Sequence, residues 1–73
     1  MNVLDLRGKK HSEIGFLVDR FIRQNLNNLP VKIITHTFPI EQKTREVIKN
    51  YNLAMRPESD FNLGALIIRK KEN

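Results

Sequence analysis

An α/β sandwich of order β-α-β-α-β-β, with a four-stranded mixed sheet carrying both helices on one face, is the fold class this sequence predicts. Three observations predict it. Four short stretches read as strands: residues 3–7 alternate, 31–35 are rich in β-branched side chains, 63–69 form a β-rich run, and 53–56 are a brief strand before a turn. Two longer stretches between them repeat apolar residues at spacings of three and four, as amphipathic helices do. With 73 residues there is room for a single domain, 1–73, near the lower limit at which a chain buries enough apolar surface to fold alone.

Strand one reads Val3-Leu4-Asp5-Leu6-Arg7, which puts Leu4 and Leu6 on one face and Val3, Asp5 and Arg7 on the other. Gly8-Lys9-Lys10-His11 is a turn, and Ser12 is the expected N-cap, with Glu13 suiting the positive end of helix one. Ile14, Leu17, Val18, Phe21 and Ile22 form the apolar stripe of that helix, which Leu26 extends. Phe16 falls off the stripe, where it either fills an edge of the core or marks a contact surface. Asn27-Asn28 and Pro30 end the helix, because proline cannot continue it and disfavours helical geometry in Leu29. Strand two follows, with Lys32, Ile34 and His36 on one side and Val31, Ile33 and Thr35 on the other. Pro39 suits the first turn of helix two, whose stripe is Ile40, Thr44, Val47, Ile48 and Tyr51 and whose end falls near Asn50. Residues 53–56 form strand three, Pro57-Glu58-Ser59-Asp60 a turn, and residues 63–69 strand four, paired with strand three as a hairpin. The tail from Lys70 onward is expected to fray.

Composition narrows the chemistry. Thirteen Lys and Arg against eight Asp and Glu give a net charge of +5, which favours polyanionic partners, although small domains also carry such charge for solubility alone. The absence of cysteine excludes disulfides, thiolate metal sites and a cysteine nucleophile, and two histidines make a poor metal site. Neither a metal nor a cofactor is expected. No apolar run approaches the roughly 20 residues that span a bilayer, and the residues after Met1 already alternate as a strand rather than opening a signal peptide. The expectation is a cytoplasmic protein with no membrane role, a monomer or weak dimer.

If strands one to three run parallel, their carboxyl ends share one sheet edge, and right-handed crossovers place both helices on one face. That edge gathers Arg7-Gly8-Lys9-Lys10, His36-Thr37-Phe38 and Arg56-Pro57, together with the amino ends of both helices, where a phosphate would be favoured. Lys43 and Arg45 would extend the basic surface, with Glu41 and Glu46 diluting it.

The Leu4-Asp5-Leu6-Arg7-Gly8 opening, the strand of Val31-Lys32-Ile33-Ile34 leading to His36, and the closing Asn62-Leu63-Gly64-Ala65-Leu66-Ile67-Ile68 resemble the small MutS-related (Smr) domain over nearly the whole chain. The first motif of that family, Leu-Asp-Leu-His-Gly or Leu-Asp-Leu-Arg-Gly, is met in full. At the second, His-Gly-x-Gly, this chain offers His36-Thr37-Phe38-Pro39, keeping the histidine and losing both glycines. The resemblance implies a fold like the C-terminal domain of translation initiation factor three. It also implies binding to DNA or RNA and, in some members, metal-independent endonuclease activity, which the degraded second motif would leave weak or lost.

Candidate roles follow, each beside its plainer alternative. Arg7 either binds a phosphate bidentately and stabilises transition-state charge or pairs with Asp5. Asp5 orients Arg7 or His36, serves as a general base, or is only a structural partner. His36 is a general acid or base in phosphodiester cleavage, since an imidazole titrates near working pH, or a hydrogen-bonded surface group. Lys9 and Lys10 anchor phosphates or are solvated cations. Phe38 is a platform for base stacking or a hydrophobic staple for helix two. Gly8, Thr37, Lys43 and Arg56 complete the expected nucleic-acid surface. The alternative to nucleic-acid binding is a small adaptor that takes a protein partner on its open sheet face.

Overall fold

A computed structural model describes residues 1–59 and 64–72. It shows β1 (Val3–Asp5), α1 (His11–Asn25), β2 (Val31–Ile34), α2 (Phe38–Ile48), β3 (Leu53–Pro57) and β4 (Ala65–Lys70). The element order is the expected one. β1 pairs with β2 in parallel, while β4 pairs antiparallel with both β2 and β3, so the sheet order is β1-β2-β4-β3. β3 therefore runs in the direction of β1 and β2, as expected, yet it is separated from them by the antiparallel β4. The helices pack against each other on one face of the sheet, and the molecule is an α+β two-layer sandwich.

Alternation decides what each face carries. Val31, Ile33 and Thr35 are buried beneath the helices, whereas Lys32 and Ile34 turn to the open face. Register carries this pattern outward. Leu4 lies opposite Ile33, and Met55 opposite Ile68, so the covered face continues through every strand. Leu6, Ile14, Val18, Ile22, Val31, Ile33, Ile48, Leu66 and Ile68 form the core, in which the stripe of α1 meets the sheet.

Local chemistry moves several boundaries. β1 stops at Asp5, although the Leu6 N–H still donates to the Ile34 carbonyl at 3.0 Å. α1 begins before Ser12, with Lys10 as its N-cap, because the Glu13 carboxylate reaches back to the Lys10 N–H at 2.9 Å. That is the carboxylate half of a capping box, which satisfies a donor the helix cannot. α1 also ends one residue short of Leu26, on a buried Asn25 whose side-chain amide donates to the Phe21 carbonyl at 2.8 Å. Leu26 is accordingly exposed at 39% rather than part of the stripe. α2 starts at Phe38, with Pro39 in its first turn, and closes at Ile48. Tyr51, just beyond it, donates its hydroxyl to Asp19 on α1. Pro57 belongs to β3, and the Glu58 N–H donates to the Ala65 carbonyl at 2.9 Å, so pairing runs past the expected start of the turn. Asp60, expected in that turn, and Asn62 and Leu63, expected at the start of the last strand, lie outside the described residues.

The turn after β1 depends on a glycine. Lys9 N–H donates to the Leu6 carbonyl at 3.2 Å, and Gly8, third in that turn, has φ +77°. This is the signature of a type II turn, which needs positive φ at its third residue. A Cβ at Gly8 would meet nothing within 4 Å, so any cost of adding one is backbone strain alone. Gly8→Ala is expected to lower stability by roughly 1–2 kcal/mol in urea denaturation with no change in m-value.

Candidate functional site

Two loops meet at the carboxyl ends of β1 and β2. Arg7, Gly8, Lys9 and His11 from the first face His36, Thr37 and Pro39 from the second, across a groove above the buried Leu6 and Thr35. The parallel pairing of β1 with β2 is what brings the loops together. Segments about 30 residues apart in the chain thus line one groove.

The second loop is built on an unusual backbone. His36 has φ +63°, the left-handed region, and the Thr37 N–H donates to the Thr35 carbonyl across it at 2.6 Å. A bond spanning two residues with positive φ at the centre is the rarer γ-turn, a strained form. What holds it is the Gly64 carbonyl, which accepts from the N–H groups of Thr35 and His36 at 2.8 and 2.9 Å and from the Thr35 hydroxyl at 3.2 Å. The backbone conformation that a glycine would supply most easily is thus adopted by His36 itself. Histidine is among the few side chains enriched in that region, the one signal in the sequence that pointed to this turn.

Arg7 and Asp5 are joined on the open side of β1. The Arg7 Nε donates to both Asp5 oxygens at 3.0 and 3.1 Å, its Nη2 to Oδ2 at 2.7 Å, and its backbone N–H to Oδ1 at 3.0 Å. These bonds, with the nearby Lys9 charge, hold the Asp5 carboxyl down at about 2 from its usual 3.8. So depressed a carboxylate is a weak proton acceptor at neutral pH, and Asp5 is placed to orient Arg7 rather than to act as a base. Because the folded value lies below the unfolded one, the ion pair contributes above pH 3.8 and is lost as pH falls through about 2. Carboxyl-carbon NMR of Asp5 is expected to show a midpoint near 2, rising toward 3.8 in Arg7→Ala. An unchanged midpoint in that variant would show that the pair does not set it.

The remaining expected residues divide. Lys10 caps α1 beside the groove and does not line it. The amino end of α1 already holds the Glu13 carboxylate, so it offers an anion less than the cations do. Phe38 is the first residue of α2 and 68% exposed; it stands inside the helix rather than before it and staples nothing. Lys43 lies away from the groove. Its Cε stands 3.4 Å from where a Cβ on Gly15 would be, so it packs over α1, and its Nζ lies 3.8 Å from Glu46. Arg45 is bound to Glu41 at 3.1 Å. Pro57 does stand beside His36 and Phe38, yet Arg56 points to the open sheet face, since it pairs in register with Ile67, itself opposite Lys32. The interposed β4 keeps it from the Arg7 groove. Phe16 is 67% exposed on α1, outside the core.

Two polar clusters had no signal in the sequence. Lys32 pairs with Glu58 across the open face, and Asp19 accepts from both Tyr51 and Arg23, which holds its carboxyl below the usual range. Lys32–Glu58 and Asp19–Tyr51 join residues far apart in the chain, while Asp19–Arg23 is a local i,i+4 pair on α1. Among the described residues no group of three His, Asp or Glu is arranged to hold a metal ion, and no helix is long and apolar enough to cross a membrane.

Fold and groove together define a small α+β sandwich with a basic cleft where two parallel strands end. No protein-family model, no curated protein and no solved structure matches the chain.

Proposed function

We propose that this chain is a nucleic-acid-binding domain of Smr type, which takes the phosphate backbone of DNA or RNA in the groove between the β1–α1 and β2–α2 loops. The observation that carries the reading is the convergence of Arg7, Lys9, His11 and His36 on one cleft. Net charge of +5 supplies the long-range attraction, and the phosphate contacts supply most of the affinity. Arg7 is held by Asp5 with one edge of its guanidinium and remains 59% exposed, so it presents further donors to a ligand. Cleavage is a separate part of the proposal. With Asp5 committed to Arg7, proton transfer would fall to His36, and the nicking of supercoiled plasmid or structured RNA by wild type but not by His36→Ala is its test.

Binding itself is tested with Asp5→Asn and Arg7→Ala. Neutralising Asp5 frees the guanidinium and removes a repelling charge, so affinity for labelled oligonucleotides should rise. Arg7→Ala removes a cation and strands the Asp5 charge, so affinity should fall. Both variants binding like wild type would sink the reading.

A second reading has its own observation. The open sheet face carries a shallow groove in which Met1, Leu29, Pro30 and the nearly buried Ile67 lie beside Arg56 and Arg69. An adaptor would dock a protein partner there. Recovery of one protein from native host extract after nuclease treatment, lost on Ile67→Asp, supports that reading, and recovery abolished by nuclease counts against it.

A further inference from the structure

We propose that the ligand is single-stranded, with one unpaired base stacked on Phe38 while its neighbouring phosphate lies between Arg7 and Lys9. This rests on the phosphate reading above and narrows its substrate class. Phe38 is a large aromatic ring held outward by the first turn of α2, 68% exposed. Beside it runs a second groove, lined by Pro57 and Gly64 as well as Phe38, and walled on its other side by His36 and Thr37. Those same two residues wall the Arg7 groove. A ridge two residues wide thus separates a cationic cleft from an aromatic one.

The chemistry of the two clefts differs in the way the two ends of a nucleotide differ. The first offers a guanidinium, an ammonium and imidazoles, which suit a phosphate. The second offers a ring face, and its charged groups, Glu41 and Arg45, neutralise each other at 3.1 Å. A flat, weakly polar base gains there what a second phosphate would not. In a duplex the bases are stacked within the helix and cannot reach Phe38, whereas a single strand turns them outward at little cost. The γ-turn at His36 sets the height of the ridge, and the Gly64 carbonyl fixes it from below.

The test compares a fluorescein-labelled oligouridine, the same oligomer with abasic sites in place of its bases, and a duplex of equal phosphate count. Wild type should bind the oligouridine most tightly. Phe38→Ala should weaken that binding about 5- to 150-fold, the range measured for removing one stacking platform, and leave the abasic oligomer and duplex unchanged. Phe38→Trp should restore it, and because position 38 is exposed neither variant strains the core. Equal binding of the oligouridine by wild type and Phe38→Ala, with binding still lost in Arg7→Ala, overturns the stacking proposal and leaves the phosphate reading standing. Failure of wild type to bind any of the three overturns both.

Discussion

Ile33→Ala should lower the stability of the domain by about 2–5 kcal/mol, the range for truncating a fully buried isoleucine. Ile33 is completely buried at the centre of the covered face, opposite Leu4 on one neighbouring strand and Leu66 on the other. The cavity left behind is walled by strands on both sides and lies within a core shared with both helices. For a chain of 73 residues the whole stability is roughly 4–11 kcal/mol at 0.05–0.15 per residue, so one such truncation removes from about a fifth of it to all of it. Thermal denaturation should register the loss at roughly 4–8 °C per kcal/mol. Val3→Ala, at a position 50% exposed on the open face, is the control and should cost well under about 1 kcal/mol. Equal effects at the two sites would mean that the sheet face assigned to the core is the wrong one.

Binding should weaken steeply with salt. If Arg7 and Lys9 each neutralise one phosphate of a single strand, the logarithmic slope is about −1.4, and raising salt from 50 to 200 mM should cost roughly 7-fold in affinity. Arg7→Ala removes one such contact, and the same change of salt should then cost roughly 3-fold. The slope, rather than the affinity, separates a phosphate-contacting Arg7 from one whose whole role is to hold Asp5. An arginine spent entirely on its neighbour would leave the slope unaltered while lowering affinity through misfolding of the turn. A wild-type slope near zero would remove the nucleic-acid reading altogether.

Much of the architecture was legible because it is written in local periods. The stripe of α1, the β-branched run of β2 and the proline in the first turn of α2 each reflect interactions within a few residues, and each element lies where its pattern put it. The convergence of the two loops was legible to the same depth. Arg7, Gly8, Lys9, His36 and Thr37 were expected at one edge and do line one groove. What escaped the sequence is what depends on partners distant in the chain. Arg56 was expected at that edge because strand three ends there, and only the insertion of β4 between β2 and β3 shows that its place is two strands away on the open face. The cap at Lys10 escaped for a smaller reason: Ser12 looked the better acceptor, but the Glu13 carboxylate, one residue on, reached the Lys10 N–H first. The left-handed state of His36 depends on a carbonyl supplied 28 residues later by Gly64, which no local pattern announces.

The place of β4 has a consequence for how the chain is made. β2 and β3 meet only through it, so a nascent chain lacking residues 65–70 has β1 and β2 on one side, β3 on the other, and no ladder between them. The most buried strand of the sheet is the last of the four in chain order. Until it pairs, Val31, Ile33 and Met55 have no β4 partner, and the edge of β2 is an open template for other strands. Closing the sheet therefore waits on residues 65–70, and a chain in which they are not yet paired carries an edge of β2 exposed to other strands.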